Sequence, residues 1–294
     1  MDKSPTTESR AIGAPHIDAL SAADIVERML EVDAAIVGAV ARQRAPIARL
    51  IETVANAFTH GGRLIYVGAG TSGRLGVLDA SECPPTFGVE PGQVVALIAG
   101  GDRALKESIE GAEDDIDAAV FDLHAIQPPV SAHDVVVGIA ASGRTPYTLA
   151  ALDEAQRLGA RTALLCCNAV PEYPDRIIIA VETGAEVVAG STRLKAGTAT
   201  KLVLNMISTG AMARAGRVYE GYMVGVRPIN VKLRKRAIGI VAKLTGRAPE
   251  DAEAFLDQAD GSIPTATLMA RKGLTRQEAE SQLKAKGSLR AALD

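Results

Sequence analysis

Aromatic side chains are scarce in this sequence: they make up 3% of its 294 residues, and tryptophan is absent. Apolar residues nevertheless account for 47% of the chain, so its core has to be built mainly from alanine, valine, leucine and isoleucine. Short aliphatic side chains of this kind suit a sheet that is covered by helices. The length predicts one large domain, or one domain with a small appendage.

The sequence also has no net positive charge, few cysteines and no long apolar run. Each of these features argues against a class of protein. The net charge of −3 provides no general positive field, so we expect no nucleic-acid partner. Three cysteines without a C-x-x-C spacing indicate neither a disulfide framework nor a zinc site. The polar start of the chain and the lack of any run of about 18 apolar residues predict a cytoplasmic protein with no membrane association.

The apolar spacing predicts helices ahead of a sheet. Residues 1–20 have loop composition and are expected to form a flexible or partner-gripping arm. Residues 21–58 repeat apolar side chains every three or four positions, which predicts two helices broken near Pro46. Five short β-branched runs then predict strands over residues 63–67, 94–98, 134–139, 162–167 and 176–181.

Helical segments such as residues 145–158 alternate with these strands. Alternation of this kind predicts an α/β fold, in which a parallel sheet forms the middle layer of a three-layer αβα sandwich. The chain reads as helical from residue 191 onwards. We therefore expect a catalytic domain with flanking helices over residues 21–225 and a small C-terminal helical cap over residues 226–294.

Two glycine-rich loops follow the first and third predicted strands. The first loop, residues 68–74, reads GAGTSGR, and the second loop, residues 141–146, reads ASGRTP. Glycines let backbone N–H groups approach a ligand and hydroxyls add donors at a helix N-terminus, so both loops suit a phosphate dianion. The alternative is an ordinary βα turn with a serine or threonine N-cap. Neither loop is a Walker A motif or a dinucleotide fingerprint, so no nucleotide cofactor is expected.

Longer segments carry a resemblance to known proteins. Residues 140–146 (AASGRTP) resemble the phosphate loop of sugar isomerase (SIS) domains. Residues 68–88, 110–115 and 184–201 resemble the N-acetylmuramic acid 6-phosphate etherases, and glucokinase regulatory proteins share part of this pattern. The likeness begins near Thr7 and reaches the C-terminal helices, so it covers nearly the whole chain.

This resemblance implies a carbon–oxygen lyase with a phosphosugar substrate. The family cleaves the D-lactyl ether of N-acetylmuramic acid 6-phosphate to N-acetylglucosamine 6-phosphate and D-lactate, in the recycling of bacterial cell-wall amino sugars. The resemblance also implies a homodimer with its site near the subunit interface. No metal or other cofactor is expected.

The reaction needs a base for the C2 proton and an acid for the departing oxygen. By resemblance, Glu82 is the proton donor to lactate and Glu113 is the second acid/base group. Cys83 and two prolines beside Glu82 would exclude water from its carboxyl, as suits a general acid. Asp114 and Asp115 are either electrostatic neighbours of Glu113 or caps of the next helix. Without the resemblance, each glutamate reads as an ordinary surface residue.

The loops supply most of the expected substrate-binding residues: Gly70, Thr71, Ser72, Ser142, Gly143, Arg144 and Thr145. Arg193 and Lys195 either face the phosphate or the lactate carboxylate, or lie in water at a helix start. The four scattered histidines are expected at the surface or in capping positions.

Two other functions would use the same loops. A phosphosugar aldose–ketose isomerase is disfavoured because the match extends well beyond the loops. A non-enzymatic sugar-phosphate sensor related to the glucokinase regulators would be a longer protein with two such domains.

Overall fold

The computed structural model describes residues 5–10 and 16–294, and over this range the chain forms seven β-strands and twelve α-helices. The strands are β1 (Leu64–Gly68), β2 (Val94–Ile98), β3 (Val135–Ile139), β4 (Arg161–Cys166), β5 (Arg176–Ala180), β6 (Val218–Tyr219) and β7 (Tyr222–Met223). The helices are α1 (Ala22–Asp33), α2 (Ala35–Arg42), α3 (Arg44–Thr59), α4 (Gly70–Phe87), α5 (Ile116–Ala125), α6 (Pro146–Arg157), α7 (Lys195–Arg214), α8 (Val231–Thr245), α9 (Pro249–Gln258), α10 (Ile263–Lys272), α11 (Arg276–Lys286) and α12 (Leu289–Leu293). Within this described range, none of the helices has the length and apolar character needed to cross a membrane.

Strands β1 to β5 form one parallel sheet in the order β2-β1-β3-β4-β5. All five strands expected from the sequence are confirmed, with boundaries shifted by no more than one residue. From β1 the chain continues to β2 on one side, and it then returns to β3 on the other side. Open parallel sheets bind ligands where the strand order reverses in this way. In this sheet, that point lies between the carboxyl ends of β1 and β3.

Helices cover both faces of the sheet. On one face, α5 and α6 contribute to a core that contains Ile65, Val136 and Leu164. On the other face, α3 contacts β1, β3 and β5. Helix α4 also approaches β1, since an added Cβ at Gly76 would lie 3.1 Å from the Tyr66 Cβ. The predicted three-layer αβα sandwich is confirmed.

A buried ion pair joins the amino ends of β1 and β3. Arg63 Nη2 lies 2.8 Å from Asp134 Oδ2, and Arg63 Nε donates to Asp134 Oδ1 at 3.1 Å. Burial alone would raise the pKa of Asp134. Hydrogen bonds from Arg63 and the Ser131 backbone, together with the Arg63 charge, outweigh burial and hold this pKa below its ordinary value. The pair ties together the two strands that lead into the glycine-rich loops.

A second buried carboxyl, that of Asp79, joins β1 to α4 and α7. The Tyr66 hydroxyl donates to Asp79 Oδ2 at 2.9 Å, and the Ser208 hydroxyl donates to Oδ1 at 3.0 Å. Burial raises the pKa of Asp79, and this effect exceeds the lowering by the two hydrogen bonds and the Lys201 charge. Helix α4, which starts in the first glycine-rich loop, is therefore tied to the sheet near its middle.

Residues 21–58 form three helices instead of the two expected. Helices α1 and α2 meet at Ala34, and Gln43 separates α2 from α3. The break at Ala34 was not expected. The break expected near Pro46 lies three residues before it, at Gln43, and Pro46 itself falls in the first turn of α3. A proline is tolerated there, since the N–H that it lacks would have no intrahelical partner.

The chain divides into two compact units. The first unit holds the described residues up to Ser81 together with Gly92–Ser208, and it contains the parallel sheet. The second unit holds Glu82–Pro91 and Thr209–Asp294. Its core includes residues of α8, α9 and α10, and it contains an antiparallel hairpin of β6 and β7 that the sequence analysis missed. Helix α7 contributes residues to both units, and the domain boundary expected at residue 226 stays a prediction.

The N-terminal arm was expected to be flexible over residues 1–20, but it is anchored at Thr6–Glu8. Thr6–Glu8 forms one 3-10 turn, and the Thr7 side chain is fully buried. Composition favoured flexibility, but hydrogen bonds between Thr7 and Asn168, which lies 161 residues further along the chain, hold this turn in place. Ile17–Ala19 forms a second 3-10 turn. The parts of that prediction over residues 1–4 and 11–15 lie outside the described residues.

Candidate active site

The two glycine-rich loops lie beside each other because they follow adjacent strands. The first loop leads from β1 into α4, and the second leads from β3 into α6. Gly68 and Ile139, the last residues of β1 and β3, are direct neighbours in the sheet register. Both helices therefore begin at the carboxyl edge of the sheet, where N-terminal N–H groups and the helix dipole favour an anion.

In the first loop, glycine lets α4 approach the sheet closely. A Cβ added at Gly73 would lie 2.6 Å from Ile98 Cγ1 and 2.7 Å from the Gly68 carbonyl oxygen, so no larger residue fits. Thr71 and Ser72 lie in the first turn of α4 with half-buried side chains. Backbone N–H groups in this turn have no intrahelical acceptor and are suited to a ligand.

The second loop requires a glycine for its backbone conformation as well as for space, and it contains one hydroxyl whose hydrogen is available to a ligand. Gly143 has a φ of +72°, and a Cβ there would lie 2.3 Å from Val170 Cγ1. The Ser142 Oγ accepts the Arg144 N–H at 3.1 Å, which leaves the hydroxyl hydrogen available for a ligand. Thr145 is the N-cap residue of α6, but its side chain makes no capping hydrogen bond. The ordinary capping alternative therefore does not describe Thr145.

A cavity of about 350 Å³ lies beside the first loop. Ala69 and Gly70 line it together with most of the segment 107–113, including Glu113. Glu113 is exposed and lies on a 3-10 turn, Ala112–Asp114, that packs against α6. Glu113 therefore lies beside the first loop, and its turn packs against the helix that starts in the second loop.

Two side chains hold the ends of the cavity-lining segment 107–113. The Arg74 Nε donates to the Leu105 carbonyl at 3.2 Å, and its Nη2 donates to the Glu107 carbonyl at 2.8 Å. Beyond the segment, the Asp115 side chain accepts a backbone N–H of α5 at 2.8 Å, so it is a helix cap. One end of the segment is therefore fixed to the first loop and the other to α5.

Lys195 begins α7 and is bound by acceptors of the protein itself. Its Nζ donates to the Thr183 carbonyl at 2.9 Å. The backbone N–H groups of Lys195 and Ala196 each donate to the fully buried carboxylate of Glu186 at 3.0 Å. This carboxylate occupies the N-terminus of α7. Arg193, just ahead of the helix, is exposed, so both interpretations of Arg193 stay open.

Glu82 lies in α4, which continues beyond it to Phe87, so this glutamate is not at the helix end. Its side chain is exposed, although Cys83 beside it is buried. The exclusion of water expected around Glu82 is therefore not achieved by its sequence neighbours. Glu82 belongs to the second compact unit and Glu113 to the first, and their joint catalytic role stays a prediction.

Histidines and metal ligands contribute no further cluster. All four histidines are exposed, as the sequence predicts. Within residues 5–10 and 16–294, no three side chains among His, Cys, Asp and Glu come together in an arrangement that suits a metal ion.

Comparison with known proteins shows the family to which the sequence belongs. The model of the glucokinase regulatory protein N-terminal SIS domain matches residues 46–156. The N-acetylmuramic acid 6-phosphate etherase of Geobacillus thermodenitrificans is 49% identical over 292 residues, which is 98% of each chain. The etherase of Cutibacterium acnes is 47% identical and covers 98% of this chain and 95% of its own. This chain belongs to the N-acetylmuramic acid 6-phosphate etherase family.

Membership of the etherase family extends over both compact units, because the alignments span almost the entire chain. A phosphoheptose isomerase from Francisella tularensis matches 65% of this chain and 100% of its own, with 16% identity and a TM-score of 0.45. A likeness of that size carries no information about the chemistry of this etherase-family chain.

Three residues at this edge of the sheet had no role assigned from sequence: Arg74, Asn168 and Glu186. Arg74 ends the first loop motif, and Glu186 lies in the family-like segment 184–201, so both were in marked positions. Asn168 follows β4 closely, and the carboxyl ends of parallel strands are where ligands bind. That position was the one available signal for Asn168.

Proposed function

We propose that this chain is an N-acetylmuramic acid 6-phosphate etherase. It releases D-lactate from N-acetylmuramic acid 6-phosphate, leaves N-acetylglucosamine 6-phosphate, and so serves the recycling of cell-wall amino sugars. The observation that carries this proposal is the 49% identity to a named etherase over 98% of both chains. The two loops and the cavity supply a site of matching chemistry.

The 6-phosphate binds to the two loops. Thr71 and Ser72 present hydroxyls and backbone N–H groups in the first turn of α4, and Ser142 and Thr145 present hydroxyls ahead of α6. Two helix N-termini and neutral donors suit a dianion that also has to leave after turnover. Gly70, Gly143 and Arg144 complete these loops, and Arg193 and Lys195 are the remaining candidates for contact with an anionic group of the substrate.

The first chemical step removes the C2 proton. An alkoxide is a poor leaving group, so the C3 ether resists simple hydrolysis. Ring opening generates the C1 aldehyde, whose carbonyl makes the C2–H bond acidic. Glu113 lines the cavity beside the first loop, and its carboxylate accepts this proton as general base.

The second step breaks the C3–O bond. The electron pair of that bond moves to the lactate oxygen, which takes a proton from Glu82 as general acid. An unsaturated aldehyde remains on the sugar. Water then adds its hydroxyl to C3 and a proton to C2, and ring closure gives N-acetylglucosamine 6-phosphate. The balance is one substrate and one water in, two products out, with no oxidation or reduction.

The active form is a two-fold homodimer. Helix α1 has no buried residue, and Val26, Leu30 and Val37 of α1 and α2 expose between 59% and 69% of their surface. An apolar stripe of this kind gains stability when it is covered, and a second copy presents the same stripe.

The chain works in the cytoplasm. Its substrate carries a phosphate dianion, which does not cross a bilayer unaided, so the enzyme must share a compartment with the reaction that phosphorylates the sugar. Cys83, Cys166 and Cys167 are free and buried, which agrees with a reducing compartment.

The test of the activity is incubation of the purified chain with N-acetylmuramic acid 6-phosphate, followed by assays for D-lactate and for the sugar product. Release of D-lactate in equal amount to N-acetylglucosamine 6-phosphate is the expected result. A ketose product without lactate would indicate an isomerase instead, and binding of the sugar without turnover would indicate a sensor.

A further inference from the structure

The N-terminal turn, Thr6–Glu8, is built into the carboxyl edge of the sheet. Thr7 has no exposed surface although it lies close to the start of the chain. Its backbone carbonyl accepts the Gly190 N–H at 2.9 Å. A Cβ added at Gly190 would lie 2.7 Å from Glu8 Oε2, so the carboxylate of Glu8 closes over this glycine. The turn is therefore in close contact with the segment that leads to Arg193 and Lys195.

One amide connects this turn to the second loop. The Asn168 Oδ1 accepts the Thr6 hydroxyl at 2.9 Å and the Thr7 N–H at 3.3 Å. The Asn168 Nδ2 donates to the Thr7 hydroxyl at 3.1 Å and to the Ala141 carbonyl at 2.9 Å. Ala141 directly precedes Ser142, and Asn168 is only 3% exposed. Both hydrogens of the amide nitrogen are used, one towards the turn and one towards the phosphate loop.

We propose that Thr7 and Asn168 are positioning residues for the second phosphate loop, a role that rests on the proposed function of that loop. The Thr7 hydroxyl fixes the orientation of the Asn168 amide, and the amide in turn binds the Ala141 carbonyl at the start of the loop. That carbonyl also accepts the Cys167 N–H at 2.9 Å, so the amide adds a second, side-chain contact to a backbone one. Without the Thr7 hydroxyl, one buried N–H of Asn168 has no acceptor. The amide then rotates or shifts to find one, and the Ser142 donor moves away from its phosphate-binding position.

The primary test is the isosteric substitution Thr7→Val, which removes the hydroxyl and keeps the side-chain volume. We expect KM to rise about three- to tenfold with kcat unchanged, because the 6-phosphate is held equally before and during the reaction. The Kd of N-acetylglucosamine 6-phosphate, measured by calorimetry, should rise by the same factor. Thr7→Ser keeps the hydroxyl and should restore both values.

The matched control is Thr267→Val. Thr267 is also fully buried, and its hydroxyl donates to the Ile263 carbonyl at 2.8 Å within α10 of the second unit. This variant should lower Tm without any change in KM or in the Kd of the sugar phosphate. It separates a loss of stability from a loss of loop position.

A milder variant covers the case in which Thr7→Val does not fold. Thr6 is exposed and donates only its hydroxyl to Asn168 Oδ1, so Thr6→Val should fold and raise KM by about two- to threefold. Unchanged KM and Kd in each folded variant, with lactate release by the unsubstituted chain intact, would overturn the positioning role alone. Absence of lactate release from the unsubstituted chain would overturn the proposed function, whereas the Kd comparison would still report on the loop.

Discussion

At the scale of single residues, the roles proposed for Glu82 and Glu113 can be distinguished by the step that each is expected to catalyse. Glu113→Ala removes the base, so both C2 hydrogen exchange in heavy water and lactate release should fall about a hundred- to ten-thousandfold. Glu82→Ala removes the acid, so lactate would have to leave as a free alkoxide. That variant should still exchange the C2 hydrogen while releasing almost no lactate. Deuterium incorporation by NMR and a lactate assay measure the two steps separately.

The opposite pattern, with exchange lost in Glu82→Ala and kept in Glu113→Ala, would reverse the two roles. Full lactate release by both variants would remove these carboxylates from the mechanism. Glu110→Ala is the matched control, because this exposed glutamate lines the same cavity three residues before Glu113. It should retain both exchange and release.

The proposed phosphate site predicts that individual hydroxyls contribute to substrate binding. Ser142→Ala and Ser72→Ala should each weaken substrate binding by about 1–3 kcal/mol, the value of a hydrogen bond to a charged group. The change should appear in KM and not in kcat. Ser131→Ala, at the amino end of β3, should leave KM unaltered. If KM in all three variants equals that of the unsubstituted chain, the phosphate binds elsewhere.

At the scale of elements, the position of the segment 107–113 depends on Arg74. Arg74→Lys keeps a positive charge but loses the fork that spans the Leu105 and Glu107 carbonyls. A shift of about 1 Å in a catalytic group can cost about a hundredfold in rate, so we expect at least a tenfold fall in kcat. The expected change in KM is small, because Gly70, Thr71 and Ser72, the residues of the first loop that are proposed to bind phosphate, are unchanged.

The control for this prediction is Arg103→Lys. Arg103 lies close to the same segment but is exposed, and it pairs with the Glu107 side chain at 2.8 Å. Exposed pairs of this kind are worth little, so kcat should be unchanged. A normal kcat in Arg74→Lys would show that the segment keeps its position without the guanidinium.

Strands β1 and β3 depend on the buried pair of Arg63 and Asp134. Asp134→Asn leaves the Arg63 guanidinium buried without its counter-charge, which should cost about 3–5 kcal/mol in the free energy of unfolding. Urea denaturation measures this loss. The double substitution Arg63→Met with Asp134→Leu should recover most of it, since an apolar pair leaves no charge uncompensated.

The same pair predicts a pH dependence of stability. The pKa of Asp134 is lower in the folded state than its ordinary value of 3.8. Its contribution to stability is therefore complete above that value and is lost as the pH falls through the lower, folded pKa. The difference in unfolding free energy between the unsubstituted chain and Asp134→Asn should shrink as the pH is lowered into this range.

How much of the fold and of the candidate site could be predicted from sequence depended on whether each feature produces a pattern among neighbouring residues. The strands and both loops were predictable, because β-branched runs and glycine clusters are patterns over a few neighbouring residues. The two-residue strands β6 and β7 are too short to give such a pattern, and the helix break at Ala34 has no glycine or proline beside it to mark it. The bridge between Thr7 and Asn168 joins positions 161 residues apart, and no local pattern records such a pairing.

For the candidate catalytic residues, the resemblance in sequence selected the residue, and the structure showed where its side chain lies. Glu113 was selected by resemblance among 35 acidic residues. Its position in a cavity beside the first loop, on a turn packed against α6, follows only from the fold. For Glu186, the structure alone provided the assignment, because nothing in its local sequence indicates that its carboxylate occupies the N-terminus of α7.

At the scale of the whole molecule, the exposed stripe on α1 and α2 predicts the assembly. Leu30→Glu places a charge in the centre of this stripe and should convert a dimer into a species of 30.5 kDa at micromolar concentration. Sedimentation velocity measures the change. Phe121→Glu, at a 73% exposed position on α5, should leave the dimer intact. A monomeric unsubstituted chain under the same conditions would contradict the proposed dimer.

The burial of Thr7 also has a consequence for how the chain acquires its fold during synthesis. Residue 7 leaves the ribosome long before residues 168 and 190, with which it forms its hydrogen bonds. At about 5–20 residues per second, the interval before residue 190 is added is roughly 10–40 s. During that time the turn has no partner, and the loop that must close over it spans most of the first unit. The turn Thr6–Glu8 is therefore made long before it can reach its place, and it can support the second phosphate loop only when almost two-thirds of the protein has been translated.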